Sequence, residues 1–476
     1  MRSYIGRRLA AFLFPVVFGA QAAAASDDFP RPDTVLDRKI LDQHGNVLLL
    51  RTLSSWGMVQ QLTNADITTA LEGAKANGFN AVTVFVGGGY FLGNGWNRYQ
   101  NATGESYWSG TPWQSPLGPA WASVDHMLAE ASRIGLSVHM SFCGGYGTTG
   151  AGPAWESSTN AHMYAAGVEI ANRYATYENI VWHIMLDTND TPTSTRGQRI
   201  NALFDGINDA EGANRRTVRW MEPGNGASIA SQGWLGTSSF NATMNGWYSY
   251  TSNSVEMIES AYAAVTGVPV GDTEPPYDGA PHYLGNRGQQ LRERSYATFL
   301  EGGAYINYGH ENWWTFGAPG LFSEGLSWQQ VPGHNHTLQQ SYVWKLIDAY
   351  VADQSWRPEN GQFLKSGAGS GDTKAAAGYS STAAIAYFPT SRPVTVDTTA
   401  IVQGSTVRLR WYDPYTGDYT TIADFEAKDT DRTVSYPPAH QDGSNDWVLV
   451  VDTSPPTPPT ARPLPPDDLR VGAIGP

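Results

Sequence analysis

Val181-Trp182-His183-Ile184-Met185-Leu186-Asp187-Thr188-Asn189-Asp190 is the stretch from which the fold is read. An apolar run that breaks into a polar, acid-bearing cluster reads as a buried strand ending in a loop. Its strand-like run spans 179–187, and seven others accompany it, at 47–55, 80–87, 136–143, 216–222, 241–248, 268–274 and 303–308. Helical patterns lie between them. Ile67, Ala70, Leu71 and Ala74 follow the i, i+3, i+4, i+7 rule, with Thr63 or Asn64 able to cap the start. Val124, Met127, Leu128 and Ala131 repeat the pattern, as do Val343, Leu346, Ile347 and Tyr350. Alternating βα units of this number predict an α/β chain folded as a (β/α)₈ TIM barrel. A doubly wound open sheet is the competing architecture. Neither GxGxxG nor GxxxxGK[ST] opens any of the helices, which weakens its nucleotide-binding versions.

A barrel presents its chemistry at the C-terminal ends of its strands. Four of the eight runs end in acids: Asp187 and Asp190 on the fourth, Glu222 on the fifth, Asp272, Glu274 and Asp278 on the seventh, and Glu311 on the eighth. Hydrolysis of a glycosidic bond needs two carboxyl groups flanking it, one protonated and one ionised. Strands four and seven lie on different sides of an eight-membered ring, so Asp187 and Glu274 are the natural pair. Burial against Trp and Tyr, and the charge of the other acid, are expected to raise the pKa of one of them. The remaining candidates for substrate contact are Trp56, His139, Asn189, Glu222, Tyr248, Tyr277, Asp278, His310 and Trp314.

Other chemistries fit less well. The first strand carries no His-x-His for a metal-dependent amidohydrolase, and His334-Asn335-His336 lies in the loop after strand eight, where a polar rim or a capping segment is the expectation. No metal or other cofactor is expected, although His139, His183 and His310 leave a mixed metal site as an alternative. Cys143, the single cysteine, excludes an intrachain disulfide and reads as packing rather than as a nucleophile. No GxSxG elbow occurs in the barrel. The segment 88–118, with Tyr90, Phe91, Trp96, Tyr99, Tyr107, Trp108 and Trp113, is either a ligand-binding wall or a loop packed on itself, and 315–336 is a second candidate wall.

The rest of the chain sets the context. Residues 1–25, with Arg2, Arg7 and Arg8 before the apolar Leu9–Ala20 and the small Ala22–Ala25, read as a secretory signal. A barrel region is expected over 26–354, a small all-β sandwich over 355–453, and a Pro-rich tail over 454–476. The sandwich prediction rests on strand-like runs at 382–388, 393–397, 405–411, 418–424, 432–436 and 446–452. The net charge is −14, and loss of the basic leader makes the mature chain more acidic still. That argues against nucleic acid and anionic membranes as partners. The 17 Trp and 24 Tyr suit both packing and stacking on sugar rings. A polysaccharide or oligosaccharide is the expected partner, met by a secreted, periplasmic or extracellular, protein.

These residues resemble the apiosidase-like glycoside hydrolases, over roughly 46–452. The resemblance is carried by Leu62-Thr63-Asn64-Ala65-Asp66 with Gly78-Phe79-Asn80-Ala81-Val82, by Trp182, Asp187 and Asn189, and by Glu274-Pro275-Pro276-Tyr277-Asp278. Arg294, Gly302, Tyr308-Gly309 and Trp314 follow, then Trp411-Tyr412-Asp413-Pro414-Tyr415-Thr416-Gly417 in a β domain that bears a collagen-binding label in that family. The resemblance implies Asp187 as acid/base, Glu274 as nucleophile, a retaining barrel, and a pectic or other furanose-containing glycan as substrate. The sequence departs from the family pattern at Met185-Leu186, where a Gly-Gly pair is usual, at Leu53 in place of an Asp, and at Asp278 in place of a Glu. A non-catalytic carbohydrate-binding protein on a degenerate barrel is the alternative reading, and a metal-dependent hydrolase the third.

Overall fold

The computed structural model describes residues 29–453, apart from 37, 89–98, 144–151, 186, 188, 213–215, 217, 237, 251–252, 281–286, 318–324, 360, 399–400, 402–405 and 427–430. The expected leader and Pro-rich tail, and Tyr90, Phe91 and Trp96, lie outside the described residues. The described chain opens with an antiparallel hairpin of β1 (Pro30–Leu36) and β2 (Lys39–Asp42), which the sequence reading did not anticipate.

The eight expected barrel strands are all present: β3 (Leu50–Ser54), β4 (Ala81–Val86), β5 (Ser137–Cys143), β6 (Ile180–Met185), β7 (Arg219–Glu222), β8 (Asn245–Tyr248), β9 (Val270–Glu274) and β10 (Tyr305–Tyr308). They pair in parallel in the order β7-β6-β5-β4-β3-β10-β9-β8. The seam between β7 and β8 is drawn together where the Thr243 N–H donates to the Arg219 carbonyl at 2.9 Å and the Arg219 N–H donates to Thr243 Oγ1 at 2.9 Å. The sheet is therefore a nearly closed barrel, not a doubly wound open sheet.

Helices cover the outside: α1 (Met58–Gln61), α2 (Asn64–Ala76), α3 (Trp121–Arg133), α4 (Gly152–Ser157), α5 (Asn160–Arg173), α6 (Thr195–Glu211), α7 (Ser254–Ala264), α8 (Arg287–Leu300), α9 (Glu311–Trp314) and α10 (Asn335–Tyr350). Thr63 caps α2, and Ile67, Ala70, Leu71 and Ala74 form its buried stripe, as the periodicity predicts. The connection from β7 to β8 carries turns instead of an α-helix among its described residues. None of the helices of the described residues is long and apolar enough to cross a membrane.

Large side chains fill the barrel. Trp56, His139, His183, Trp220 and Tyr305 are all buried inside it. His183 and Trp220 have ring centroids 4.0 Å apart, and Trp220 Nε1 donates to His139 Nδ1 at 3.0 Å. Each large apolar group so buried contributes about 1.5–3 kcal/mol.

The remaining strands are β11 (Arg357–Pro358), β12 (Leu364–Ser366), β13 (Ala376–Tyr379), β14 (Ala383–Phe388), β15 (Val394–Val396), β16 (Thr406–Tyr412), β17 (Tyr419–Glu426), β18 (Arg432–Val434) and β19 (Trp447–Asp452). They form a six-stranded antiparallel sheet, β11-β13-β14-β19-β16-β17, facing a three-stranded one, β12-β15-β18. Alternation along the strands assigns the two faces of the larger sheet. Ala384, Ala386, Phe388, Leu449 and Val451 pack inside the sandwich. Ile385, Tyr387, Val448 and Val450 belong to the barrel's own apolar core.

Helix α8 is the layer between them, and every residue from Leu291 to Leu300 is buried. Its charged residues survive burial because each has a partner. Arg292 holds Asp446 of the sheet with two hydrogen bonds, of 2.9 and 2.7 Å, while Arg294 pairs with Asp272 of β9 at 2.7 Å. Tyr296 stacks on Tyr387, with centroids 4.8 Å apart. The Trp411–Gly417 signature is packing of the same kind: the Tyr412 hydroxyl donates to the Tyr342 carbonyl at 2.7 Å, and Asp413 Oδ1 accepts the Tyr415 N–H at 2.7 Å.

Candidate active site

Three acids meet at the C-terminal ends of the barrel strands. Asp187 lies just beyond β6, half-buried, with φ of 44°, a left-handed backbone that residues other than glycine rarely adopt. Glu274 is the last residue of β9 and only 7% exposed. Glu222 ends β7, wholly buried, with its carboxyl beside that of Glu274.

Asp187 and Glu274 are bridged by two tyrosines. The Tyr248 hydroxyl stands beside the Asp187 carboxyl and donates to Tyr250 Oη at 3.0 Å, and Tyr250 donates in turn to Glu274 Oε1 at 2.9 Å. Burial, and then the charge of Glu274, push the Asp187 carboxyl up to about 8, against a smaller opposing pull from Tyr248. Burial also raises Glu274, but hydrogen bonds from Glu222, Tyr250 and Tyr277 favour its charged form. Both carboxyls are therefore raised by burial, and Glu274 alone is given several hydrogen-bonding neighbours that favour its charged form. With a proton on Asp187 the chain of hydroxyls runs in one direction, Asp187 to Tyr248 to Tyr250 to Glu274. A protonated carboxyl and an ionised one, held apart by a fixed bridge, can protonate a leaving oxygen and attack or hydrate the centre it leaves.

The support beneath is layered. Trp56, buried under the rim, donates from Nε1 to the Tyr277 hydroxyl at 2.6 Å, and that hydroxyl also reaches Glu274. The Tyr277 ring lies on the backbone of Gly309, where a Cβ would stand 2.4 Å from it. Asp272, two residues before Glu274, is pushed up to about 6 by burial, with Arg294 pulling the other way. Arg294 also donates to the Ser249 carbonyl at 3.0 Å, which ties β9 to the loop that carries Tyr250.

The structure thus gathers Asp187, Glu222, Tyr248, Glu274, Tyr277 and Trp56 into one centre. Asn189 stands exposed on the rim, where its Oδ1 accepts from Gln232 at 3.2 Å. His139 lies below, in the barrel interior, and burial lowers its pKa to about 3. Trp314 is buried, with its indole N–H on Glu311 at 3.0 Å and its ring edge-on to Tyr277. Asp278 and His310 form a second cluster with His334 and His336, whose Asp278-His334-His336 part could hold a metal ion. In the aromatic loop Tyr107, Trp108 and Trp113 are buried, Trp108 against Trp113 and Tyr107 against Trp121, so these rings pack inward rather than line a sugar-facing wall. Tyr250 and the supporting role of Arg294 were missed from sequence. The Tyr248-x-Tyr250 spacing at the end of a barrel strand is the signal that could have found the first.

Comparison with known proteins follows the geometry. Residues 36–352 match the family model described as "Apiosidase-like, catalytic domain", and residues 360–452 match "Putative collagen-binding domain of a collagenase". No curated protein sequence matches the chain. Among solved structures, a glycoside hydrolase superposes with a TM-score of 0.76 at 19% identity, over 90% of this chain and 98% of its own. A glycoside hydrolase of family 5 from Bacteroides vulgatus gives 0.72 at 20% identity, over 87% and 92%. A noncanonic maltogenic α-amylase from Thermotoga neapolitana gives 0.51 at 8% identity, over 85% and 99%. At these identities the likeness is one of fold.

Proposed function

The chain belongs to the apiosidase-like family of glycoside hydrolase catalytic domains, and from that premise we propose that it cleaves O-glycosidic bonds in a pectic or other furanose-containing polysaccharide by a retaining, two-carboxylate mechanism. Asp187 is the acid/base and Glu274 the nucleophile. The observation that carries this reading is the bridge through Tyr248 and Tyr250, which joins one acid raised to about 8 to another that accepts hydrogen bonds favouring its charge. In the first step Asp187 gives its proton to the leaving oxygen while Glu274 bonds to the anomeric carbon. In the second, Asp187 takes a proton from water as that water displaces Glu274. Trp56 and Tyr277 position the nucleophile, and Asn189 on the rim is placed to meet a sugar hydroxyl. The acidic, leader-bearing chain suits secretion to where such glycans lie. The C-terminal sheets act as a brace, in line with their core shared with the barrel.

The test is product release from a panel of pectic, arabinan, galactan and bacterial glycans, read by mass spectrometry. Asp187→Ala and Glu274→Ala are each expected to lower turnover by about 10³-fold or more, the range lost when a nucleophile or acid is removed, with circular dichroism unchanged. Near-normal turnover in either folded variant would sink the assignment. The anomer formed first, read by proton NMR, decides retention.

A further inference from the structure

We propose that Asp278, His334 and His336 form a binding site for one divalent transition-metal ion of the Zn²⁺ type, which clasps the start of α10 to the loop after β9. The ligand atoms of the three residues all lie within 4.8 Å of one another. His334 Nδ1 is 3.2 Å from Asp278 Oδ2, and His336 Nδ1 is 3.1 and 3.2 Å from the two carboxylate oxygens. Two imidazoles and a carboxylate are a common zinc donor set. Tetrahedral bonds of about 2.0–2.2 Å set donors about 3.3–3.6 Å apart, close to the two carboxylate–imidazole separations. An ion held by all three needs the two imidazoles to turn toward it, which their partial exposure permits.

The carboxylate is fixed in advance. Asp278 is fully buried, its N–H donates to the Gly309 carbonyl at 3.0 Å, and its own carbonyl accepts the Glu311 N–H at 2.8 Å. The Tyr308 hydroxyl donates to Oδ2 at 3.4 Å, and Arg287 Nη1 stands 3.6 Å from Oδ1, so both oxygens are held in place. His310 has a different part. Its Nδ1 accepts the Asn312 N–H at 3.1 Å, so in the neutral ring Nε2 carries the proton and points it at Asp278, 3.8 Å away. His310 therefore stands beside the ligating carboxylate, beyond hydrogen-bond distance of it.

The open side is provided as well. The His334 and His336 side chains are 24% and 25% exposed, which gives the ion a way in and a place for a water as fourth ligand. His336 comes so close to α8 that a Cβ on Gly288 would lie 2.8 Å from its ring, so the glycine at that position makes room for the imidazole. Ion binding must move the protons of both Nδ1 atoms, either to Nε2 or to solvent.

The experiment uses the full chain without a histidine tag, stripped with chelator and dialysed. Titration calorimetry with ZnCl₂ is expected to give one equivalent, Co²⁺ to give the visible bands of a tetrahedral site, and Zn²⁺ to raise the melting temperature. His336→Ala and His334→Ala should each weaken Zn²⁺ binding by about tenfold or more, with circular dichroism confirming that they fold. Absence of saturable binding in the wild-type chain, or undiminished binding in the His334→Ala/His336→Ala double variant, would overturn the proposal. The readout is metal binding, so its failure is separate from any failure to find a glycan.

Discussion

Replacing Tyr250 by Phe removes one hydroxyl and keeps the ring. That hydroxyl donates to Glu274 Oε1 at 2.9 Å in a buried site, and a hydrogen bond to a charged group contributes about 1.5–3 kcal/mol. The bond favours the ionised form of Glu274, so its loss raises the pKa of that carboxyl. At 1.36 kcal/mol per unit the rise is about 1–2 units. The nucleophile must be ionised, so the acid limb of kcat/KM against pH should move up by the same amount and narrow the active range from below. The alkaline limb reports the proton on Asp187 and should stay near about 8. The assay is the initial rate of sugar release across pH for wild type and Tyr250→Phe on the same glycan, with free-enzyme pKa values read from kcat/KM. A drop in rate with the acid limb unmoved would refute the argument, because it would mean that the group titrating there is not the one Tyr250 touches.

Other consequences follow from the same structure. Burial raises Asp187, Glu293 and Glu301 each to about 8 and Asp272 to about 6. Their folded values exceed the unfolded ones near about 4, so their stabilisation is complete at low pH and is lost as pH rises through about 6–8. The melting temperature should therefore fall between pH 5 and pH 9, and Glu301→Gln should reduce the fall; an equal or steeper fall in the variant would contradict this. Arg292→Ala leaves Asp446 buried without its two-bond partner, which should cost about 3–5 kcal/mol in urea unfolding. Gly309→Ala drives a Cβ into the Tyr277 ring, and overpacking of this kind costs about 1–3 kcal/mol; release kinetics should slow with it, and an unchanged rate would mean that Tyr277 is not needed where it lies.

The barrel was legible because its strands are short apolar runs with acids at their ends. The same logic singled out Asp187 and Glu274, which do stand at the ends of β6 and β9. What escaped was structure built from small residues. Strand β13, Ala376-Ala377-Gly378-Tyr379, has no β-branched side chain to mark it. A Cβ on Gly378 would stand 2.5 Å from both the Leu300 carbonyl and the Trp356 ring, so close approach to α8 selects the composition that hides the strand. Direction was equally hidden. Trp56, His139 and Trp314 read as rim residues from their places near strands, yet all three are buried. His334-Asn335-His336 read as a rim or capping segment because nothing local says that the loop brings both rings to Asp278.

Strands β14 and β19 have no solvent side: one face closes the sandwich and the other closes the barrel. The two family matches meet between residues 352 and 360, and that junction looks like a place to cut. It marks inheritance, not independence. A chain ended there would leave Tyr296, Leu300 and Tyr342 as a greasy scar, and the detached sheets would carry Ile385, Tyr387, Val448 and Val450 as its mirror image. Truncation should therefore yield inclusion bodies in place of a smaller enzyme, and the C-terminal sheets cannot be traded between proteins as a cassette unless the face of α8 travels with them.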